Sequence, residues 1–239
     1  MKICTLIITL HVAAISHGQV LAAYEQQKSA PVANAWDTYI NYLAADAEVF
    51  NGRVYNDYRS SLFSGSPLFP VAQNTVGSVM YSGVWYRNLP LMYDVYKDVL
   101  LGFKYGDNLL YEIEKSKISL FYLGEREFIH LNTASYPNAA PGFYEVLFKG
   151  RKSHILVKHG KEYSEDLGST STRRILTDKV QYFIEKEGML NRVNSARAIL
   201  KQYNDKQGEL KKYINDHGLN AKKDMYHTLK DLAAFYEVL

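Results

Sequence analysis

The spacing of apolar positions changes along this chain, and each spacing predicts a different kind of structure. Behind Lys2 an almost unbroken apolar run extends over 3–15. From Gly77 onward the period is two, with short apolar or aromatic runs at 78–81, 84–87, 91–104, 109–114, 118–123, 126–131, 143–148 and 153–159. A period of two places alternate side chains on opposite faces of a pleated strand, so each run reads as a half-buried β-strand. Gly83, Gly106-Asp107-Asn108, 115–117, Gly124, Gly150 and Gly160 punctuate the runs. Residues of this kind turn the chain at little steric cost. Connections this short join antiparallel neighbours and leave no room for crossover helices.

Two further runs, 180–185 and 189–193, flank Lys186-Glu187-Gly188 and read as a last hairpin. Beyond it the period becomes helical. Asn194 is a candidate cap for a helix carrying Ala196, Ile199, Leu200 and Tyr203 on one face. Asn204 or Asp205 is a candidate cap for a second, with Leu210, Tyr213, Ile214 and His217 inward and Gly218 as its stop. A third presents Met225, Leu229, Leu232, Ala233 and Tyr236. Helices this short are unstable alone and must pack on each other or on the sheet. The expected fold class is α+β: a curved antiparallel sheet, roll or partly closed barrel, followed by about three short C-terminal helices. Ahead of the strands, 33–45 has helical spacing, and 50–75 is rich in turn residues. The stretch 168–172 is the best candidate hinge, which divides the chain into 1–18, a β-rich 19–167, and a hairpin-plus-helix 173–239.

The opening segment reads as a cleavable export signal. Its apolar run is too short to span a bilayer core of ~30 Å and suits the hydrophobic region of a signal peptide. Ser16 and Gly18 offer a small-x-small cleavage site before Gln19, with Val20 and Ala22 as a second choice. The expected destination is the periplasm, the outer surface or the medium, with no transmembrane segment in the mature protein. Cys4 is the single cysteine and lies inside the signal, which removes disulfides, thiolate nucleophiles and thiolate metal sites. A net charge of +3 is too balanced to make nucleic acid the main partner. Tyrosine is unusually frequent, at 20 residues. Its apolar ring and polar tip favour half-buried strands and contact faces.

Motifs for chemistry are sparse. His130, His154, His159, His217 and His227 are scattered without metal-ligand spacing, and neither a nucleophile elbow nor a phosphate-binding glycine loop is present. No cofactor is expected. In Tyr93-Asp94-Val95-Tyr96-Lys97-Asp98 an extended backbone would set Asp94, Tyr96 and Asp98 on one face, the carboxylates about 7 Å apart. Such a pair can divide acid and base roles in glycoside hydrolysis. The plainer reading is a solvent-facing side, with Leu91, Tyr93, Val95 and Val99 inward. Tyr81, Trp85, Tyr86, Tyr93 and Tyr96 crowd into one region, and rings exposed on a sheet suit a sugar or a partner protein. The same rings serve as core if both faces are covered. The lysines of the tail alternate with Asp and Glu, as on a solvated helix surface. The turn pattern Phe50-Asn51-Gly52-Arg53-Val54-Tyr55 recurs at Tyr81-Ser82-Gly83-Val84-Trp85-Tyr86, without a regular period.

Three segments together, GVWYRNLPLMYDVYKDVLL at 83–101, GFYEVLFKGRKSHILVKHGK at 142–161 and ILKQYNDKQGELKKYINDHGLNAKKD at 199–224, resemble an uncharacterised family of exported bacterial proteins. That resemblance implies a strand-rich body with a helical C-terminal end and brings no activity with it. The function expected is a non-enzymatic envelope or secreted protein that binds a partner protein or glycan through Tyr81, Trp85, Tyr86 and Tyr96. The alternative is a glycan-directed hydrolase using Asp94 and Asp98.

Overall fold

A computed structural model describes residues 48–56, 64–71, 75–103, 109–132, 136, 139–167 and 172–239. The signal segment 1–18, the helix expected over 33–45 and most of the expected hinge lie outside these residues, while residue 172 opens a strand.

The period-two runs form β1 (Val76–Tyr81), β2 (Val84–Asp94), β3 (Val99–Phe103), β4 (Leu110–Glu112), β5 (Ile118–Leu123), β6 (Arg126–Leu131), β7 (Gly142–Lys149), β8 (His154–Leu167), β9 (Thr172–Lys186) and β10 (Met189–Val193). They make one antiparallel sheet in the order β10-β9-β8-β7-β6-β5-β1-β2-β3-β4. The sheet is open, with β4 and β10 at its edges. Three helices follow the strands: α1 (Ala196–Gln202), α2 (Gln207–Asp216) and α3 (Met225–Val238). The protein is therefore α+β with a curved antiparallel sheet.

Curvature follows from connectivity. After β4 the chain returns to the free edge of β1, where β5 pairs. Only residues 113–117 lie between β4 and β5, and Lys115–Lys117 form a 3-10 turn. That turn rises about 2 Å per residue, so the link reaches roughly 16 Å. In a flat sheet four strand spacings of about 4.8 Å would separate its ends by ~19 Å. The sheet has to bend for the chain to return.

Local chemistry sets several turns. Ser82 and Gly83 (φ 51° and 78°) join β1 to β2, and Glu187 and Gly188 (φ 55° and 75°) join β9 to β10. Two successive positive φ values match the twist of hairpin strands. The run 91–104 is a different case. It breaks at a turn over 95–98, with Asp98 at φ 57°, so the stretch expected to be extended is the corner between β2 and β3.

The curved face encloses an aromatic core. Phe121 and Phe128 stack with centroids 4.8 Å apart and planes 7° from parallel. Phe143 meets Phe121 edge-on at 5.0 Å, and Tyr93 meets Phe128 at 5.4 Å. These side chains are essentially inaccessible to water, and burying each ring is worth roughly 1.5–3 kcal/mol. A second core joins Ile155, Val157 and Ile184 of the sheet to Ile199, Tyr203, Leu210, Leu229, Leu232 and Tyr236 of the helical end. The helices thus pack on the sheet. Ser195, rather than Asn194, caps α1 by accepting from the Ala198 N–H at 3.3 Å. Neither Asn204 nor Asp205 caps α2, because both belong to a preceding 3-10 turn. Gly218 (φ 61°) does end α2, where the Leu219 N–H reaches back to the Ile214 carbonyl at 2.9 Å. His217, expected inward, is exposed.

Much of the tyrosine excess is explained inside the molecule. The hydroxyl groups of Tyr55, Tyr93, Tyr226 and Tyr236 donate to Asp94, Asp98, Glu145 and Asp205 respectively. Each ring fills apolar space while its tip satisfies a carboxylate.

Candidate functional site

The aromatic residues singled out in the sequence divide between the two faces of the sheet. Tyr81 and Tyr86 are 2% and 7% exposed and pack edge-on against each other at 6.3 Å. Trp85 pairs in register with Met80, and Ser78 with Tyr122, so these four share the opposite face. There Trp85 lies against Tyr122 at 5.9 Å, and the Arg87 guanidinium sits 5.5 Å from the indole. Tyr96 is 40% exposed on the β2–β3 corner. Trp85 and Tyr96 therefore face outward, whereas Tyr81 and Tyr86 belong to the core.

The two carboxylates also part company. Asp94 is fully buried; it accepts from the Tyr55 hydroxyl at 2.7 Å and from the Tyr96 and Lys97 N–H groups, each at 2.9 Å. It caps the corner from inside and does not face solvent beside Asp98. Asp98 gathers Lys115 at 2.6 Å, Lys158 at 3.0 Å, the Tyr93 hydroxyl at 2.6 Å and the Phe143 N–H at 3.3 Å. Burial pushes its carboxyl up, but the Lys158 charge and the Lys115 and Tyr93 hydrogen bonds outweigh this and hold it below the usual range. Burial pulls the Lys158 ammonium down, with Asp98 opposing. Burial, reinforced by Asp98, pushes Tyr144 up to about 12. Gly142 (φ 139°) makes this junction possible, because a Cβ there would collide with the Asp98 carboxylate and the Lys158 ammonium.

A second polar cluster was not legible as a unit. Glu145 of β7 is 2% exposed and lies 2.5 Å from His159 Nε2. It also accepts from Arg126 at 3.1 Å and from the Tyr226 hydroxyl of α3 at 3.0 Å. Burial pushes Glu145 up, yet the His159 contact and the Arg126 charge bring it below the ordinary carboxylate value. This cluster ties α3 to the sheet and supports Phe69, whose ring meets His159 at 4.8 Å and the Arg126 guanidinium at 5.2 Å.

Phe69 belongs to the segment 64–71, which spans from β9 to β2. Ser64 exchanges backbone hydrogen bonds with β9, donating to Arg174 at 2.6 Å and accepting from Leu176 at 2.9 Å. The Phe69 N–H donates to the Tyr93 carbonyl at 2.8 Å, and the Val95 N–H to the Pro67 carbonyl at 2.9 Å. Held at Ser64, Pro67 and Phe69, the segment walls a cavity of about 560 Å³. Leu68, Phe69, Pro70 and Val71 line it from the segment, and Pro90, Leu91, Met92 and Phe103 from β2 and β3. Among the described residues, Ser66, Thr75 and the Lys161–Asp178 pair also line it. The volume and the apolar lining with a few polar groups match a small-molecule site.

Sequence reasoning missed this cleft because its walls come from distant stretches. The one local signal is Leu68-Phe69-Pro70-Val71, an apolar run inside a turn-rich region. Among the described residues, no group of three His, Cys, Asp or Glu side chains is arranged to hold a metal ion. Nor, among them, is any helix long and apolar enough to cross a membrane. The chain matches no protein-family model, and neither a curated protein nor a solved structure gives a significant match.

Proposed function

We propose that this chain is an exported, non-catalytic binding protein whose cleft beneath the segment 64–71 takes a small, largely apolar ligand. The observation that carries this reading is the cavity of about 560 Å³ with apolar walls from the segment, β2 and β3. Backbone hydrogen bonds at Ser64, Pro67 and Phe69 hold this wall of the cleft in place, which lowers the ordering cost of binding. The placement of the carboxylates favours binding over the hydrolase alternative. Asp94 is enclosed and engaged as a cap, and Asp98 is held among two lysines and a tyrosine. The test is titration with the environment-sensitive dye 1-N-phenylnaphthylamine. Saturable fluorescence in the native protein, abolished by Leu68→Asp or Phe103→Asp in folded variants, is the expected result. Unsaturable dye uptake, or binding indifferent to both substitutions, would remove the cleft as a ligand site.

A second reading follows from the outer face. Trp85, Tyr122 and Arg87 adjoin there, and Trp, Tyr and Arg are the side chains most enriched at binding hot spots. This face would take the envelope protein or glycan that the sequence suggests. Retention on immobilised cell-wall glycan that disappears in Trp85→Ala would support it, and retention unaffected by Trp85→Ala would count against it.

A further inference from the structure

Among the described residues that line the cleft, Lys161 carries the only positive charge. It lies on β8 in register with Asp178 of β9, and its Nζ donates to Asp178 at 2.6 Å. The two partners are unequally placed. The Lys161 side chain is 9% exposed, so its stem is largely covered, whereas its partner Asp178 is 75% exposed and their hydrogen bond lies at the solvent-facing side. A cation drawn into an apolar enclosure is costly without a counter-charge. The counter-charge supplied here stands in solvent, where giving up one ion-pair partner costs little.

We propose that the cleft binds a long-chain carboxylate, its hydrocarbon against Phe69, Met92 and Phe103 and its head group on Lys161 in place of Asp178. One carboxylate replaces another as the direct partner of the ammonium, and the displaced Asp178 is already 75% exposed, so its charge turns to water. A single ammonium also suits a single carboxylate better than a doubly charged phosphate, which would bring uncompensated charge to an apolar wall. The apolar walls supply the affinity for the chain, and Lys161 supplies the choice of head group. This inference rests on the cleft being a ligand site, and the two can fail separately.

The experiment is displacement of 1-N-phenylnaphthylamine from the purified protein by palmitate and by methyl palmitate, each below its micellar concentration. A hydrogen bond to a charged group in a sheltered site corresponds to a preference of about tenfold or more for the acid. Lys161→Met, which keeps the stem, is expected to reduce the two ligands to equal affinity, and Lys161→Arg to retain the preference. Asp178→Asn, which weakens the competitor, is expected to tighten palmitate binding and leave the ester unchanged. Thermal unfolding of each variant checks that the fold persists. Equal displacement by acid and ester from the native protein would overturn the head-group assignment while leaving the cleft as an apolar site. A preference that survives in Lys161→Met would overturn it too. Absence of any dye binding or displacement would overturn both readings together.

Discussion

Among the described contacts, replacing Asp94 by Ala takes the carboxylate from three donors: the Tyr55 hydroxyl and the N–H groups of Tyr96 and Lys97. The three losses differ in cost. Tyr96 is 40% exposed, so water can reach the corner amides once the carboxylate is gone, whereas Tyr55 is 5% exposed and its hydroxyl stays enclosed. A hydrogen bond to a charged acceptor contributes about 1.5–3 kcal/mol, and an enclosed, unsatisfied donor adds its own penalty. With partial recovery by the amides, the expected loss is about 3 kcal/mol. For a chain of this size that corresponds to a fall in Tm of roughly 6–12 °C. Asp94→Asn keeps an acceptor for the corner and should lose about 1 kcal/mol. Tyr55→Phe should destabilise the native protein but change little in the Asp94→Ala background, giving a coupling of about 1–2 kcal/mol in the double-mutant cycle. Urea denaturation monitored by tyrosine and tryptophan fluorescence measures the native protein and all four variants. An Asp94→Ala variant within 0.5 kcal/mol (about the scatter of neutral surface changes) of the native protein would refute the reasoning. Asp94 would then not be what holds the corner.

Acid stability should depend on Glu145 and Asp98, whose folded pKa values lie below their ordinary values of 4.5 and 3.8. Below those values the unfolded chain binds more protons than the native one, so the stability these groups confer is present above them and lost as pH falls through the folded pKa. Glu145→Gln should therefore flatten the acid limb of the urea-midpoint profile, and an unchanged slope would rule the residue out as its source. Gly142→Ala forces a Cβ into the Asp98–Lys158 junction at φ 139° and should lower unfolding free energy by about 2 kcal/mol or more, measured by urea denaturation. Ser195→Ala should lose about 1 kcal/mol as an N-cap, while Asn194→Ala should be neutral in the same urea assay.

What could be read directly from the residues was whatever depends on near neighbours in sequence. Side-chain parity repeats every two residues in a strand and every 3.6 in a helix, so the runs at 118–123, 126–131, 143–148 and 189–193 fall within strands of the structure. Of the expected inward set, Leu91, Tyr93 and Val95 are buried even though the backbone turns after Asp94, whereas Val99, beyond the corner, is half-buried. The turn itself escaped notice because 95–98 contains no Gly, Pro or Asn, and Asp98 takes the left-handed conformation that Gly most often supplies. Once the corner forms, the parity argument that put Asp94 beside Asp98 in solvent no longer applies.

The fold class, the antiparallel pairing and the helical end were thus determined by local periodicity and turn chemistry. The tertiary structure alone decided which edge β5 joins, which face of the sheet is enclosed, and what meets across it. The aromatics divided for that reason: pleating separates Tyr81 and Tyr86 from Trp85, but only the curvature says which set is core. Glu145, His159, Arg126 and Tyr226 come from three strands and a helix, and the cleft from the segment 64–71 and four strands. No spacing in one sequence encodes such meetings, because they depend on pairings between distant residues that exist only once the sheet has curved around its core.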